Sequence, residues 1–252
     1  MAILVRVTQQ PEELTVAAVV LASGAGTRLG SELNKAYLPL AGIPVVAWSL
    51  RALGELPAVG VLVLVARPED ERLVTDALSL VSGTPPVEVV AGGTDRQESE
   101  LLALRHLADR INTGAVDTVL LHDAARPLVS AELAGAVLRA AREHGGAIPG
   151  VECADLAVAT EDGTGLQEPL PGTAIRAQTP QGFHARSLVE AYEDAARAGF
   201  VGTDTASCVQ RFTDVAVHWV QGEQRNIKMT YAVDLAIAER LVAELNPRSA
   251  RA

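Results

Sequence analysis

Residues 19–30, Val-Val-Leu-Ala-Ser-Gly-Ala-Gly-Thr-Arg-Leu-Gly, followed by Asn34-Lys35, carry the clearest chemical signal in this chain. An apolar run breaks into a turn of small residues, Ala22, Ser23, Gly24, Ala25 and Gly26, with cations following at Arg28 and Lys35. Glycines let backbone N–H groups approach an anion with no Cβ in the way, and mobile cations on either side complete a phosphate site. Two common glycine loops do not match. A nucleotide-hydrolysing P-loop needs Gly-Lys and then Ser or Thr where this chain has Gly26-Thr27-Arg28, and a dinucleotide fingerprint needs glycine where Leu29 stands. A plain structural turn is the remaining alternative.

Four further stretches hold residue types suited to a phosphate-bearing ligand. In His122-Asp123-Ala124-Ala125-Arg126-Pro127, Asp123 follows an apolar run and reads either as a Mg²⁺ anchor for a triphosphate or as a turn carboxylate paired with Arg126. Gly92-Gly93-Thr94-Asp95-Arg96-Gln97-Glu98-Ser99 offers backbone groups and the Ser99 hydroxyl to the edge of a flat base, or is an ordinary capped helix start. Arg176 and Thr179, both phosphate-binding types, precede the turn Pro180-Gln181-Gly182, and Lys228 stands in a presumed strand as a third cation or a solvated side chain. His122, His184 and His218 have no spacing that suggests a metal site or a nucleophile triad, and read as structural.

The surrounding pattern predicts elements able to bring these stretches together. A continuous apolar run at 59–66 reads as a strand buried on both faces, and 87–91, 117–122 and 147–151 read as further strands, joining the run before Ala22. Helical periodicity is predicted at 43–53, 68–81, 99–110, 131–144, 185–198, 205–211 and 231–244, with a late strand at 215–220. Such alternation specifies an α/β fold, a mostly parallel twisted sheet with helices on both faces, whose ligands sit outside the carboxyl ends of the strands. One domain is expected over 15–245. Residues 152–177 break the pattern and read as a loose loop or a protruding two-stranded arm, 154–160 with 174–177; an arm unable to bury its own faces packs on a partner subunit.

Composition excludes other classes. A net charge of -10 argues against a nucleic-acid surface, which needs a basic face. No apolar window is long enough to span a membrane, the first residues lack the order of a signal peptide, and two distant cysteines fit neither zinc nor a disulfide framework. Reduced thiols and a cytoplasmic location are therefore expected.

Taken as a set, 22–28, 34–37, 92–99, 122–127, Thr179-Pro180-Gln181, Thr203-Asp204-Thr205-Ala206-Ser207 and Asn226-Ile227-Lys228-Met229-Thr230 resemble, in order and spacing, the cytidylyltransferases that make CDP-linked polyols. The resemblance is nearest to the 2-C-methyl-D-erythritol 4-phosphate cytidylyltransferase family of isoprenoid precursor biosynthesis, and ribitol 5-phosphate cytidylyltransferases share most of the motifs. It implies a Rossmann-like nucleotidyltransferase that moves CMP from CTP to a polyol phosphate with Mg²⁺, releases pyrophosphate and works as a homodimer. A CTP-binding paralogue without turnover, or an enzyme using UTP or GTP, stays open. The implied catalytic cations are Arg28, Lys35 and Lys228. Nucleotide contacts fall to Ala22, Ser23, Gly24, Ala25, Gly26, Gly92, Gly93, Arg96, Ser99, Asp123 and Ala124, with Asp123 also holding the metal. Acceptor contacts are implied for Arg126, Thr179 and Asp204, joined by Arg176 on residue type. The chain departs from the pattern at Ser23, Asn34 and Ala36, and Cys153-Ala154-Asp155-Leu156 stands where the arm should begin with Asp-Thr.

Overall fold

The computed structural model describes residues 15–24, 34–167 and 172–245. In chain order the elements are β1 (Thr15–Leu21), β2 (Pro39–Leu40), β3 (Ile43–Pro44), α1 (Val45–Gly54), β4 (Val59–Ala66), α2 (Glu71–Leu78), β5 (Val87–Ala91), α3 (Arg96–His106), α4 (Ala108–Thr113) and β6 (Val116–Asp123). They continue with α5 (Ala131–His144), β7 (Gly146–Glu152), β8 (Ile175–Ala177), β9 (Gln181–His184), α6 (Ala185–Ala198), α7 (Thr205–Phe212), β10 (Val217–Gln221) and α8 (Ala232–Leu245). The main sheet runs β10-β7-β9-β6-β1-β4-β5, with β8 paired to the outer part of β7.

Pairing is parallel except at β9, which runs antiparallel to β6 and β7, and at β8. The chain leaves β1 in opposite directions, through β4 to β5 on one side and to β6 on the other, so strand order reverses beside β1. Loops after β1 and β6 diverge at such a point and leave a crevice.

Alternation along the strands explains the register. Val16, Ala18 and Val20 of β1 face α1, α2 and α5, where they pack with Leu50, Val74 and Val137. Ala17 and Val19 face the other layer, against Leu104 of α3, Leu188 and Tyr192 of α6 and Val209 of α7. A one-residue slip would exchange these two sets, and both faces are already filled. A third cluster joins Leu40 and Val45 to Leu128, Met229, Ala238 and Val242, clamping α8 over the small β2–β3 hairpin.

Three expectations need correction. Gln181–His184 is a strand in the middle of the sheet, not a turn. Its glycine lets α5 lie directly over it: a Cβ on Gly182 would sit 2.9 Å from Leu120 Cδ2 and 3.1 Å from Ala141 Cβ. The segment 226–230 is irregular, not a strand. In the arm, Ile175–Ala177 pairs with Gly150–Glu152 of β7 instead of with 154–160, which keeps one isolated bridge, Ala159 to Leu166. The turn between those bridge residues is held by Asp162, which accepts from the Thr160 and Thr164 hydroxyls.

The end of β6 is locked by a chain of hydrogen bonds. His122 is fully buried; its Nε2 lies 3.1 Å from the Arg126 carbonyl and its Nδ1 3.0 Å from Thr179 Oγ1. A carbonyl only accepts, so Nε2 carries the proton and Nδ1 accepts from the Thr179 hydroxyl. Thr179 in turn accepts the Asp123 N–H at 3.1 Å. Burial pushes His122 down from 6.5 to about 4, so the ring is neutral at physiological pH.

Two measurements follow from this packing. Gly182→Ala overfills the α5–β9 contact and should destabilise by about 1–3 kcal/mol, read as a lower urea midpoint. An unfolded chain takes up the His122 proton near pH 6.5, whereas the folded one resists until about 4, so stability should fall as pH drops through that window. The full loss is on the order of 3 kcal/mol. His122→Gln should flatten the stability-against-pH slope between those values relative to the wild type, and an equal slope would contradict the account.

Candidate active site

A cleft of about 850 Å³ opens at the carboxyl ends of β1, β4, β5 and β6. Its walls are Ala22, Ser23 and Gly24 after β1, Arg67 after β4, Gly92 and Gly93 after β5, and Asp123 to Ala125 at the end of β6. Lys35, Arg96 and Lys228 also line it. Most of the residues expected to meet a nucleotide therefore share one concavity. Ala25, Gly26 and Arg28 lie outside the described residues.

Asp123 is the electrostatic centre. Lys228 Nζ lies 2.7 Å from Oδ2 and Arg96 Nη2 3.3 Å from Oδ1. Burial opposes the charge, but Arg96, Lys228 and Arg126 outweigh it and hold the Asp123 carboxyl well below the usual range. The same Arg96 nitrogen lies 3.3 Å from Glu100 Oε1, one helical turn along α3. Burial pushes the Glu100 carboxyl upward, with Arg96 pulling the other way. In the alternative reading of Asp123 as a turn carboxylate, Arg126 is its ion pair; the direct ion pairs are instead made by Arg96 and Lys228.

The glycine turn after β5 is held from behind. Ser99 Oγ donates to the Asp95 carbonyl at 2.7 Å and accepts from Gly93 N–H at 3.0 Å. With its proton committed, Ser99 must accept from Ser23, whose Oγ is 2.8 Å away. A Cβ on Gly92 would collide with Ser23 and stand 3.3 Å from Ser99 Oγ, so glycine is required at this close approach. Ser99 is fully buried and supports the turn instead of facing the cleft; with the Gly92 N–H given to the Ala66 carbonyl and the Gly93 N–H to Ser99, the carbonyl oxygens of the turn are its polar edge. Asp95 caps α3 through Glu98 N–H, so the segment is also an ordinary helix start.

Lys35 opens a short 3₁₀ turn capped by Asn34, whose Oδ1 accepts from Ala36 N–H at 3.1 Å. Asn34 Nδ2 donates to the Ala22 carbonyl and to Asp70 Oδ2, both at 2.8 Å, tying the start of the Lys35 turn to the end of β1 and to Asp70. Arg67 fixes Asp70 with two hydrogen bonds, at 2.9 and 2.7 Å. The departure from proline at Asn34 thus has a structural use.

Lys228 is carried by an irregular segment pinned on both sides. Met229 is fully buried and donates its N–H to Ala125 O at 2.8 Å; Asn226 is fully buried and donates to Thr179 O at 2.9 Å. Arg126 joins this segment to the end of β8, donating to Asn226 O at 2.8 Å and Ala177 O at 3.1 Å.

The four residues expected at the acceptor are not brought into the cleft. Thr179 and Arg126 are buried in its supporting wall. Asp204 caps α7 in a reciprocal box with Ser207 and accepts from Gln181. Arg176 is exposed on β8, with Cys153 Sγ 3.6 Å from its guanidinium. Arg67 and Glu100 were not anticipated. Arg67 is flagged by its place directly after a buried strand run, whereas a glutamate on a helix gives no such signal.

Among the described residues no three His, Cys, Asp or Glu side chains come together as a metal cage. Glu69, Asp95, Glu98 and Asp123 line the cleft without forming a cage, so a divalent cation held at Asp123 would need phosphate oxygens to complete its shell, which is how Mg²⁺ is ordinarily held beside a triphosphate. The donor set fits a metal that arrives with its ligand.

Comparison with known proteins agrees with this geometry. The family profile described as 2-C-methyl-D-erythritol 4-phosphate cytidylyltransferase matches residues 16–244. Proteins of that name from Geobacter metallireducens and Cereibacter sphaeroides are 34% and 37% identical, over 93% and 91% of this chain and 100% and 98% of their own. The crystal structure of 4-diphosphocytidyl-2C-methyl-D-erythritol synthase from Anaerococcus prevotii superposes with a TM-score of 0.79 at 26% identity, covering 92% of this chain and 97% of that one. The 2-C-methyl-D-erythritol 4-phosphate cytidylyltransferase of Thermus thermophilus gives 0.67 at 28% identity, over 89% and 97%. With its fold and nearly its whole length matched, the chain belongs to the 2-C-methyl-D-erythritol 4-phosphate cytidylyltransferase family.

Proposed function

We propose that this protein transfers CMP from CTP to 2-C-methyl-D-erythritol 4-phosphate and releases pyrophosphate, a step in making isoprenoid precursors. The observation that carries the reading is the meeting of Lys228 and Arg96 on Asp123 beside the Gly92-Gly93 turn, in a cleft that Lys35 also lines. An oxygen of the acceptor phosphate attacks the α-phosphorus of CTP in line, and the bond from that phosphorus to the oxygen bridging to the β-phosphate breaks. The attacking phosphate is already an anion at neutral pH, so no base is required. His122 is neutral and buried behind Asp123.

The task is electrostatic: two anions must approach and a third must leave. Lys35, with Arg28 from the preceding loop, holds the β- and γ-phosphates. Lys228 moves from Asp123 to the α-phosphate. The backbone at Gly92 and Gly93 meets cytosine. Asp123 would hold Mg²⁺, which neutralises phosphate charge when bound. Thr179 and Arg126 serve one step back, fixing the carboxylate and the lysine segment. Leu156 and Leu166 on the arm are 64% and 71% exposed, and we assign the arm, with Arg176, to a second copy in a homodimer. Free cysteines and the lack, among the described residues, of a helix able to cross a membrane support a cytoplasmic enzyme.

Pyrophosphate release with CTP, Mg²⁺ and either 2-C-methyl-D-erythritol 4-phosphate or ribitol 5-phosphate tests the reading, with UTP and GTP as exchanges. The first acceptor with CTP should give the highest kcat/KM; silence with every acceptor would end the proposal. Lys35→Ala and Lys228→Ala should each lower kcat at least a hundredfold, equivalent to about 2.7–4 kcal/mol of lost transition-state stabilisation. Circular dichroism of both variants should be unchanged.

A further inference from the structure

Glu100 is a carboxylate that the proposed reaction does not use. It is 1% exposed, yet it stands where α3, α6 and α7 meet and accepts from Tyr192 OH at 2.5 Å and Thr205 Oγ1 at 2.9 Å. An acid in such a place is costly unless it is paired. Its charged partner is Arg96, whose Nη2 lies 3.3 Å from Glu100 Oε1 and also 3.3 Å from Asp123 Oδ1. Both separations exceed the roughly 2.7–2.9 Å of a well-formed charged hydrogen bond. The buried Nε of Arg96 has no acceptor, so it does not anchor the guanidinium. The nitrogen is thus suspended between two carboxylates, and Glu100 is fixed from behind by donors on two other helices.

We propose that Glu100 is a positioning residue for the nucleotide site, holding Arg96 back so that Asp123 Oδ1 stays open to the metal-bound triphosphate. Without the Glu100 charge, Arg96 closes on Asp123 and competes with the incoming ligand for that oxygen. Until Lys228 turns to the α-phosphate it engages Oδ2 at 2.7 Å, which makes Oδ1 the oxygen first offered to the incoming metal-bound triphosphate. This inference rests on the reading of the cleft as a CTP site.

Glu100→Gln keeps the shape and removes the charge; its one amide oxygen serves one of the two hydroxyls, which meet different oxygens of Glu100, and the other hydroxyl turns to accept from the amide NH2. Assayed at pH 8, it should raise the KM for CTP and the Mg²⁺ concentration for half-maximal rate by about 10–100-fold, the usual effect of losing a partner behind a metal ligand. The kcat at saturation should stay within about threefold, because the contacts made in the transition state are intact. Calorimetry should show the same weakening of CTP binding in the presence of Mg²⁺. A purely structural carboxylate would lower Tm and leave KM and the Mg²⁺ requirement alone, and that result overturns the proposal. Should Glu100→Gln fail to fold, Tyr192→Phe removes the closest donor to Glu100 and should raise both quantities in the same direction by less; unchanged values there overturn it equally. A wild-type protein that binds no CTP and releases no pyrophosphate refutes the cytidylyl reading itself, and the role of Glu100 falls with it.

Discussion

A carboxylate at the end of a buried strand, held between cations from distant parts of the polypeptide, organises this molecule. Asp123 ends β6, Arg96 begins α3, and Lys228 comes a hundred residues later, yet all three meet within hydrogen-bond or ion-pair distance. Burial alone would favour a protonated acid at such a place, and the neighbouring cations reverse that preference. The charge must then stay where it is, because Asp123 N–H is held by Thr179, Thr179 by His122, and His122 by the Arg126 carbonyl. Each link is buried, so none can exchange its partner for water without loss. The result is a preorganised field facing a glycine-lined crevice, the arrangement that transfer between phosphates demands.

Much of the sheet is legible in the sequence because central strands such as Val59–Ala66 are largely buried and read as unbroken apolar runs; the half-exposed edge strand Val87–Ala91, interrupted by Glu88, also stands where expected. The cleft is legible for a related reason. Parallel sheets present their loops at one edge, so glycines, cations and an aspartate placed just after strands must converge. β9 escapes such reading. Gln181 and Gly182 have little strand preference, and the segment owes its state to α5 lying close over the glycine. The segment around Lys228 misleads in the opposite way: Ile227, Met229 and their polar neighbours alternate like a strand, but Met229 packs under α8 and gives its N–H to the Ala125 carbonyl outside any ladder.

Roles within the site are less legible than its location. Ser99 and Thr179 have hydroxyls of the kind that contact ligands, and both donate inward instead. A sequence places such residues near the chemistry without saying which way the proton points, since that depends on carbonyls supplied by distant parts of the chain. Asn34 shows the converse. As a departure from proline it reads as a weakness in the motif, whereas the structure uses its amide to bind the Ala22 carbonyl and the carboxylate of Asp70.

The anchoring of Lys228 has a consequence for how the protein comes into being. Met229 is buried beneath Ala238 and Val242 of the last described helix, so the lysine is brought to Asp123 by the portion of the chain that leaves the ribosome late. All strands of the main sheet precede that segment and can associate while synthesis continues. A polypeptide lacking α8 would carry a nearly finished scaffold whose cleft still lacks the seat for one of its charges, so the site is completed in one step, when α8 closes over Met229, and not progressively along the chain.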